Sequence, residues 1–333
     1  MTTTAVPTKP WAKSPRDRIR DFAFAILAIA FSYAFVGVTA MKGKLAYAAI
    51  LIIAYALITG VFAFVTRGGP AAKDAVIKSC VAIGAILTVL PIASIIFTVL
   101  KNGLRGIHLS MFTTDMSMAT PTDPIATGGL LHAITGTITM VVLALIMSVP
   151  IGILTALYLT EINGKFAGPI RFLVQAMSGV PSIVAGLFIL SAVLYPITKA
   201  YSGLMGALAL TILMIPTIAR TSEEVLRLIP NDLREAGVAL GGTQWRTVAM
   251  VVVPAVKSGL VTAIILGIAR VIGETAPILL VTGGGESTNY NPVSGPMGSI
   301  PYYVWKSFQL GGTEESSQRT WAGLLVLILW VLI

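Results

Sequence analysis

Arg270 and Glu274, in the stretch IARVIGETAPILLV, are the charged residues of this chain placed in the least expected surroundings. They stand four apart, so on a helix they share one face, about 6 Å apart along the axis. The stretch around them is otherwise apolar. A charge deep in a membrane span costs roughly 2.5–3.5 kcal/mol on insertion scales, so such residues pair, face a cavity, or do both. One outcome is a self-satisfied structural ion pair. The other is an anion-contact site or gate in a path across a membrane. Arginine is permanently charged and presents a planar fork matched to the oxygens of an oxyanion such as phosphate. Glu274 would hold Arg270 until the anion displaced it, and would accept a hydrogen bond from a protonated oxyanion.

The elements that must position this pair are membrane spans. Of 333 residues, 56% are hydrophobic and 11% charged, with a mean hydropathy of +0.87. Soluble domains carry about 25% charged residues, so this chain lacks the charge to coat a soluble surface. Its apolar residues come in blocks of the length that crosses a bilayer. Eight spans are expected, near 22–40, 45–65, 79–100, 130–159, 172–192, 204–219, 258–281 and 321–333. The last, WAGLLVLILWVLI, has 13 residues, so either its helix begins earlier or the chain is cut at Ile333. In a seventh span starting near Lys257, Arg270 lies about 20 Å along the axis, past the midplane.

The 23 basic residues set the orientation. With the N-terminus inside, 15 fall on inner segments and seven on outer ones, and the one left over is Arg270. Among the acids only Glu274 lies inside a span. Both termini are therefore expected in the cytoplasm. The net charge of +9 follows topology, not nucleic acid. Cys80 is the only cysteine, which excludes an intrachain disulfide, and His108 and His132 alone make no metal site. Residues 1–21 read as a polar, basic cytoplasmic tail without a cleavable signal peptide. A transmembrane hairpin and basic linker occupy 22–78, and the working unit 79–333. Long outer loops are expected at 101–129 and 282–320.

Between spans six and seven lies a polar segment, 220–257. Asn231 or Asp232, after Pro230, can cap a helix over Leu233 to Leu240, and Gly241 with Gly242 supplies a left-handed stop. This predicts a short helix lying along the membrane surface. Glu235-Ala236-Gly237, three residues, Gly241, nine residues, then Val251-x-Val253-Pro254 resembles the EAA signature of bacterial importer permeases. Gly237 and Val253 depart mildly from that signature. The resemblance implies that this coupling segment docks on a separate ATPase carrying ATP and Mg. The chain has no G-x-x-x-x-G-K-[ST] loop of its own, so it is not expected to be an enzyme. Small residues (Ala236, Gly237, Ala239, Gly241) allow close approach of a partner backbone, and Arg234, Glu235 and Arg246 can pair across the contact. Pro254 closes the signature.

GETAPILL after Arg270, VPSIVAGLF at 180–188 and LRLIPNDLREAGVALGGTQWRTV together resemble the PstA permeases of the phosphate-specific ABC transport system. The sister permeases, PstC, typically read Gly-Glu-Thr-Met where this chain has Thr275-Ala276-Pro277 after Glu274. The resemblance covers roughly 79–333. It implies an all-α integral membrane protein with a six-helix, MetI-like type I importer core, plus the extra hairpin. It also implies the bacterial inner membrane, a PstC-like second permease, a PstB-like ATPase dimer and a PstS-like binding protein that delivers phosphate. Carried over by motif position, Arg270, Glu274 and Thr275 line the substrate path. Arg220 matches a basic position of the family and equally suits an interfacial residue. Rival readings are a permease for sulfate or molybdate, an ion-driven secondary transporter, or a membrane enzyme. The coupling segment opposes the second, and no catalytic constellation supports the third.

Overall fold

A computed structural model describes residues 15–39 and 43–332. Residues 1–14, 40–42 and Ile333 lie outside the described residues. Among the described residues the chain is helical, with one isolated β-bridge, Gly283 to Met297, and no strands. It divides into two compact units, 1–97 and 98–333.

The first unit holds α1 (Pro15–Val38), α2 (Lys44–Arg67) and α3 (Gly69–Gly103) up to Phe97. The expected basic linker 67–78 is not a linker. Gly68, with φ +82°, makes the turn, and α3 starts at the next residue. Hydroxyls tie the helices together where apolar side chains alone would slide: Ser32 Oγ donates to the Tyr47 carbonyl at 2.8 Å, and Thr59 and Ser79 share a hydrogen bond at 3.0 Å.

The second unit is built around α4 (Leu131–Leu157) and α7 (Gly203–Arg227). Met140 on α4 and Leu210, Met214 and Ile218 on α7 form its fully buried centre. Glycines set the approach: a Cβ on Gly152 would stand 2.8 Å from Ile218 Cγ2. α4 does not stop at Leu157 but continues as a π-helical turn, Tyr158–Ile162. Next come α5 (Ala167–Ser178) and α6 (Ser182–Ile189), the latter extended by a second π segment, Leu190–Thr198. After α7 lie α8 (Asn231–Ala239), α9 (Gln244–Thr247), a third π turn (Val248–Val252), α10 (Val253–Ala255) and α11 (Lys257–Val271). The chain then runs through α12 (Ala276–Val281), α13 (Ile300–Gln309) and α14 (Glu314–Leu332).

Among the described residues, five helices are long and apolar enough to cross a membrane, or up to seven if each of two bent pairs is one span. Four of the eight expected spans change. The fifth bends by 104° between α5 and α6, where Pro181 cannot continue the helix. The seventh, which follows a 72° bend between α10 and α11, breaks at 272–275, so it does not run unbroken from 258 to 281. The eighth begins earlier than Trp321, at Glu314, and the charges of its first turns keep it off the apolar count. The sixth extends past residue 219 to Arg227.

At the N-terminal end of α4 the two long connections pack on each other. The 282–320 connection is not a bare loop but carries α13 and the first turns of α14. Ser117 Oγ donates to Asp115 at 2.6 Å, and the Thr288 amide and hydroxyl donate at 2.9 Å each. Led by the Ser117 hydroxyl, these donors hold the Asp115 carboxyl well below the usual carboxylate range. Arg319 on α14, 2% exposed, donates to the carbonyls of Asp123 (3.1 Å), Pro124 (2.7 Å) and Thr127 (2.6 Å). A buried guanidinium thus satisfies a loop backbone that has no ladder of its own. Arg319→Ala removes the donor from all three carbonyls. It is expected to destabilise the second unit by about 2–4 kcal/mol, read as a lower midpoint in thermal unfolding of the detergent-solubilised protein.

Candidate functional site: a coupling segment and an ion pair at a helix break

The segment between α7 and α11 folds as its punctuation predicts, with one correction. α8 is not capped by Asn231 or Asp232. Pro230 takes the cap position without a side-chain bond, and both residues enter the first turn. The Asn231 side-chain oxygen instead accepts from Arg234 Nη1 at 3.4 Å. The other end follows the expectation: Gly241 has φ +83°, its amide donates to the Val238 carbonyl at 2.9 Å, and the Gly242 amide donates to Gly237 at 3.3 Å. That double bond pattern is a Schellman stop, which needs a residue free to adopt the left-handed conformation. Gly237 is required for a different reason. A Cβ there would collide with Thr247 Cγ2 of α9, so the alanine usual at this place of the signature does not fit here. Pro254 lacks an N–H for the carbonyl four residues back, and the backbone there is first π-helical, then kinked at Val256.

Arg234 does not point outward. It grips Glu161, in the π turn that ends α4, with both oxygens engaged: Nε to Oε2 at 3.0 Å and Nη2 to Oε1 at 2.9 Å. It also donates to the carbonyls of Leu226 (3.0 Å) and Ile229 (2.8 Å), at the end of α7 and just beyond it. Its expected role in pairing across a partner contact is therefore corrected. Glu235, Ala236, Gly241, Arg246 and Pro254 are exposed. Leu233, Val238, Trp245 and, at 90%, Leu240 are exposed apolar side chains in the same polar segment. An open groove of about 940 Å³ lies against the segment, lined by Glu161, Arg171, Arg227, Arg234 and Glu235 among others.

Arg270 and Glu274 form their ion pair, Nη1 to Oε1. The route differs from the expected single helix. α11 ends at Val271, the Glu274 amide closes a tight turn on the Val271 carbonyl at 3.1 Å, and Thr275 precedes α12. The Arg270 side chain is 44% exposed and that of Glu274 13%. The stretch after the pair is anchored by α6: a Cβ on Gly186 would stand 2.7 Å from the Pro277 Cα. The PSIVAGLF and GETAP motifs are thus two halves of one contact. Gly267 of α11 packs on Ile218 of α7, and Gly259 on Val225. These helices run antiparallel, so Arg220 sits nearer α8 than Arg270 does. Arg220 pairs with Glu224 at 3.3 Å on the surface, both more than half exposed. Arg270, Glu274 and Thr275 are brought together; Arg220 is at another level.

Residues 148–333 match the family of binding-protein-dependent transport system inner membrane components. The chain is 36% identical over 248 residues to the phosphate transport system permease protein PstA 1 of Mycobacterium tuberculosis (strain CDC 1551 / Oshkosh), covering 74% of this chain and 81% of that protein. It is 37% identical over 241 residues to PstA of Pasteurella multocida (strain Pm70), covering 72% and 83%. The chain belongs to the PstA permease family. Its fold is that of a solved permease chain of the MetNI methionine ABC transporter in an inward-facing conformation. That match has a TM-score of 0.50 and 19% identity, over 61% of this chain and 88% of the other.

Several residues not singled out from sequence organise this region: Glu161, Gln244 and Thr247 at the 231–254 segment, and Glu223 between α5 and α7. Gln244 Nε2 donates to the Glu161 carbonyl at 2.6 Å. Glu223, buried, bridges Arg171 (2.9 Å) and Arg227 (2.5 Å), tying α5 to α7. Glu161 carried one signal, an isolated acid at the end of a long apolar run. Nothing in its spacing links it to Arg234, 73 residues away. The Gly237–Thr247 contact gives a test. Gly237→Ala is expected to destabilise the segment by about 1–3 kcal/mol through overpacking, and Thr247→Ser, which deletes the colliding methyl, to recover most of it. Hydrogen exchange across 228–256 in the single and double variants checks this.

Proposed function

We propose that this PstA-family chain is the permease subunit of an ATP-binding-cassette importer that moves inorganic phosphate inward through a pore shared with a second, PstC-like permease. The carrying observation is the Arg270–Glu274 pair at a helix break. A guanidinium 44% exposed at that depth costs too much to leave against lipid, so it faces a path or a partner. Broken helices at membrane depth are tolerated where they line such a cavity. Arg270 offers phosphate a charged fork, Glu274 holds the fork in the empty state and accepts a hydrogen bond from the P–OH of monohydrogen phosphate, and Thr275 adds a hydroxyl at the same turn. The names of the curated PstA relatives supply the substrate.

A PstB-like ATPase dimer, carrying ATP and Mg, docks on the 231–254 segment. Exposed Glu235, flanked by the apolar side chains of Leu233, Val238, Leu240 and Trp245, suits a surface covered by a partner. A PstS-like binding protein delivers phosphate at the opposite, loop-covered face. The excess of basic residues on the expected inner segments supports a cytoplasmic location for both termini. Arg220 is assigned to the inner stretch of the path. The N-terminal hairpin lies outside the working core.

The test is uptake of labelled phosphate into proteoliposomes holding the chain with its permease partner, ATPase and binding protein. Uptake is expected to need ATP and to ignore excess sulfate. Arg270→Ala is expected to lower it by about 10- to 100-fold, the worth of one charge-assisted contact of 1.5–3 kcal/mol, in complexes that still assemble. Uptake of sulfate instead would overturn the substrate, and uptake on an ion gradient without ATP would overturn the docking role of α8.

A further inference from the structure

α8 buries none of its residues. A helix without a buried face is stabilised only by the bonds at its edges, and it transmits force only through them. Its local contacts, Gly237 against Thr247 and the Gly242 amide to the Gly237 carbonyl, stay within the 231–254 segment. The side-chain bonds that leave the segment for α4, among the described residues, converge on one place. They are Arg234 to the Glu161 carboxylate and Gln244 to the Glu161 carbonyl.

We propose that the Arg234–Glu161 pair is the rigid link that carries displacement of α8 into α4 and α7, so that without it ATP is hydrolysed without transport. This rests on the reading of α8 as the ATPase-docking helix. Arg234 holds three elements with one planar group: the end of α4 through Glu161, the end of α7 through the Leu226 and Ile229 carbonyls, and the start of α8 through Asn231. A forked guanidinium bonded on several edges cannot turn without breaking several bonds together. Glu161 is 5% exposed at its side chain and Arg234 23%, so water does not loosen the pair. Beneath it, Leu157, Leu226, Ile229, Val252 and Leu260 form one apolar cluster, which makes the ends of α4, α7 and α11 move together. α4 leads from there to the buried centre at Met140 and on to Thr137, whose hydroxyl receives the Ile300 amide at 2.9 Å. Arg234 and Glu161 are positioning residues: neither is placed to touch phosphate.

The test uses the complete transporter in proteoliposomes, with ATP hydrolysis and phosphate uptake measured in the same vesicles. Wild-type vesicles that hydrolyse ATP yet take up no phosphate would defeat the functional reading itself, before any variant is compared. Given wild-type uptake, Glu161→Gln is expected to leave hydrolysis near wild type while phosphate carried per ATP falls by about tenfold, a typical coupling free energy. In a Cys80→Ser background, Glu161→Cys with Arg234→Cys is expected to show the same uncoupling. Bridging the two thiols with a short, cleavable bifunctional reagent is expected to restore uptake per ATP, and reduction to remove it again. If Glu161→Gln lowers only the yield or melting temperature of the complex, with phosphate per ATP unchanged, the link is merely structural and the proposal falls. It falls equally if the bridge forms and coupling does not return. Should the double cysteine variant fail to assemble, the ratio measured for Glu161→Gln decides alone.

Discussion

Backbone amides and carbonyls in apolar surroundings must find partners within the protein, and each place where this chain departs from an α-helix is a local answer to that demand. α4 and α7 stay continuous through Pro150 and Pro216. Hydroxyls along α4 fold back on the carbonyls four residues before them, as at Thr135, Thr137, Thr139 and Thr155. Polar side chains are thereby consumed inside their own helix and the outer face stays apolar. The chain bends at Gly179–Pro181 and at Val256, beside prolines that cannot donate a backbone N–H, and breaks at 272–275.

Charged side chains obey the same rule. Arg319 is closed by three carbonyls, Arg234 by a carboxylate and two carbonyls, and Glu223 by two guanidiniums. Each lies where helices meet connections, and each replaces missing backbone or side-chain partners. Arg270 differs. It has one carboxylate partner and keeps nearly half its side-chain surface uncovered. The contrast between three groups with several partners each and one half-exposed group with a single partner supports the proposal that Arg270 contacts an anion.

Much of this was legible beforehand. Arg270 and Glu274 stood out because they were the charges left inside spans, and the pair forms. The glycine stop of α8 followed from Gly241 alone, since few other residues accept its left-handed φ. The breaks were less legible. A run such as 258–281 is uniformly apolar, and hydropathy records composition without recording where a helix ends; only Gly273 and Pro277 hinted at it. Arg234 was misplaced for a related reason. On a short helix with exposed apolar and charged residues, sequence does not show which faces are already taken, and Glu161 lies 73 residues away. The contact of Gly186 with Pro277 was equally hidden, though both glycine- and proline-bearing motifs had been noted.

The π turns at 158–162 and 248–252 have a consequence for the chain's arithmetic. A π turn holds about one residue more than the α turn it replaces, and each residue rotates a helix by about 100°. The last residues of α4 therefore face a direction that a plain 3.6-residue count from Leu131 would not give, and Glu161 looks toward Arg234 because of that surplus. Loss of a single residue from 158–162 would leave a regular, fully hydrogen-bonded helix of nearly the same length and hydropathy. It would also swing the carboxylate about a quarter turn away. In this segment a gap of one position in the chain is a change of compass bearing, not of length.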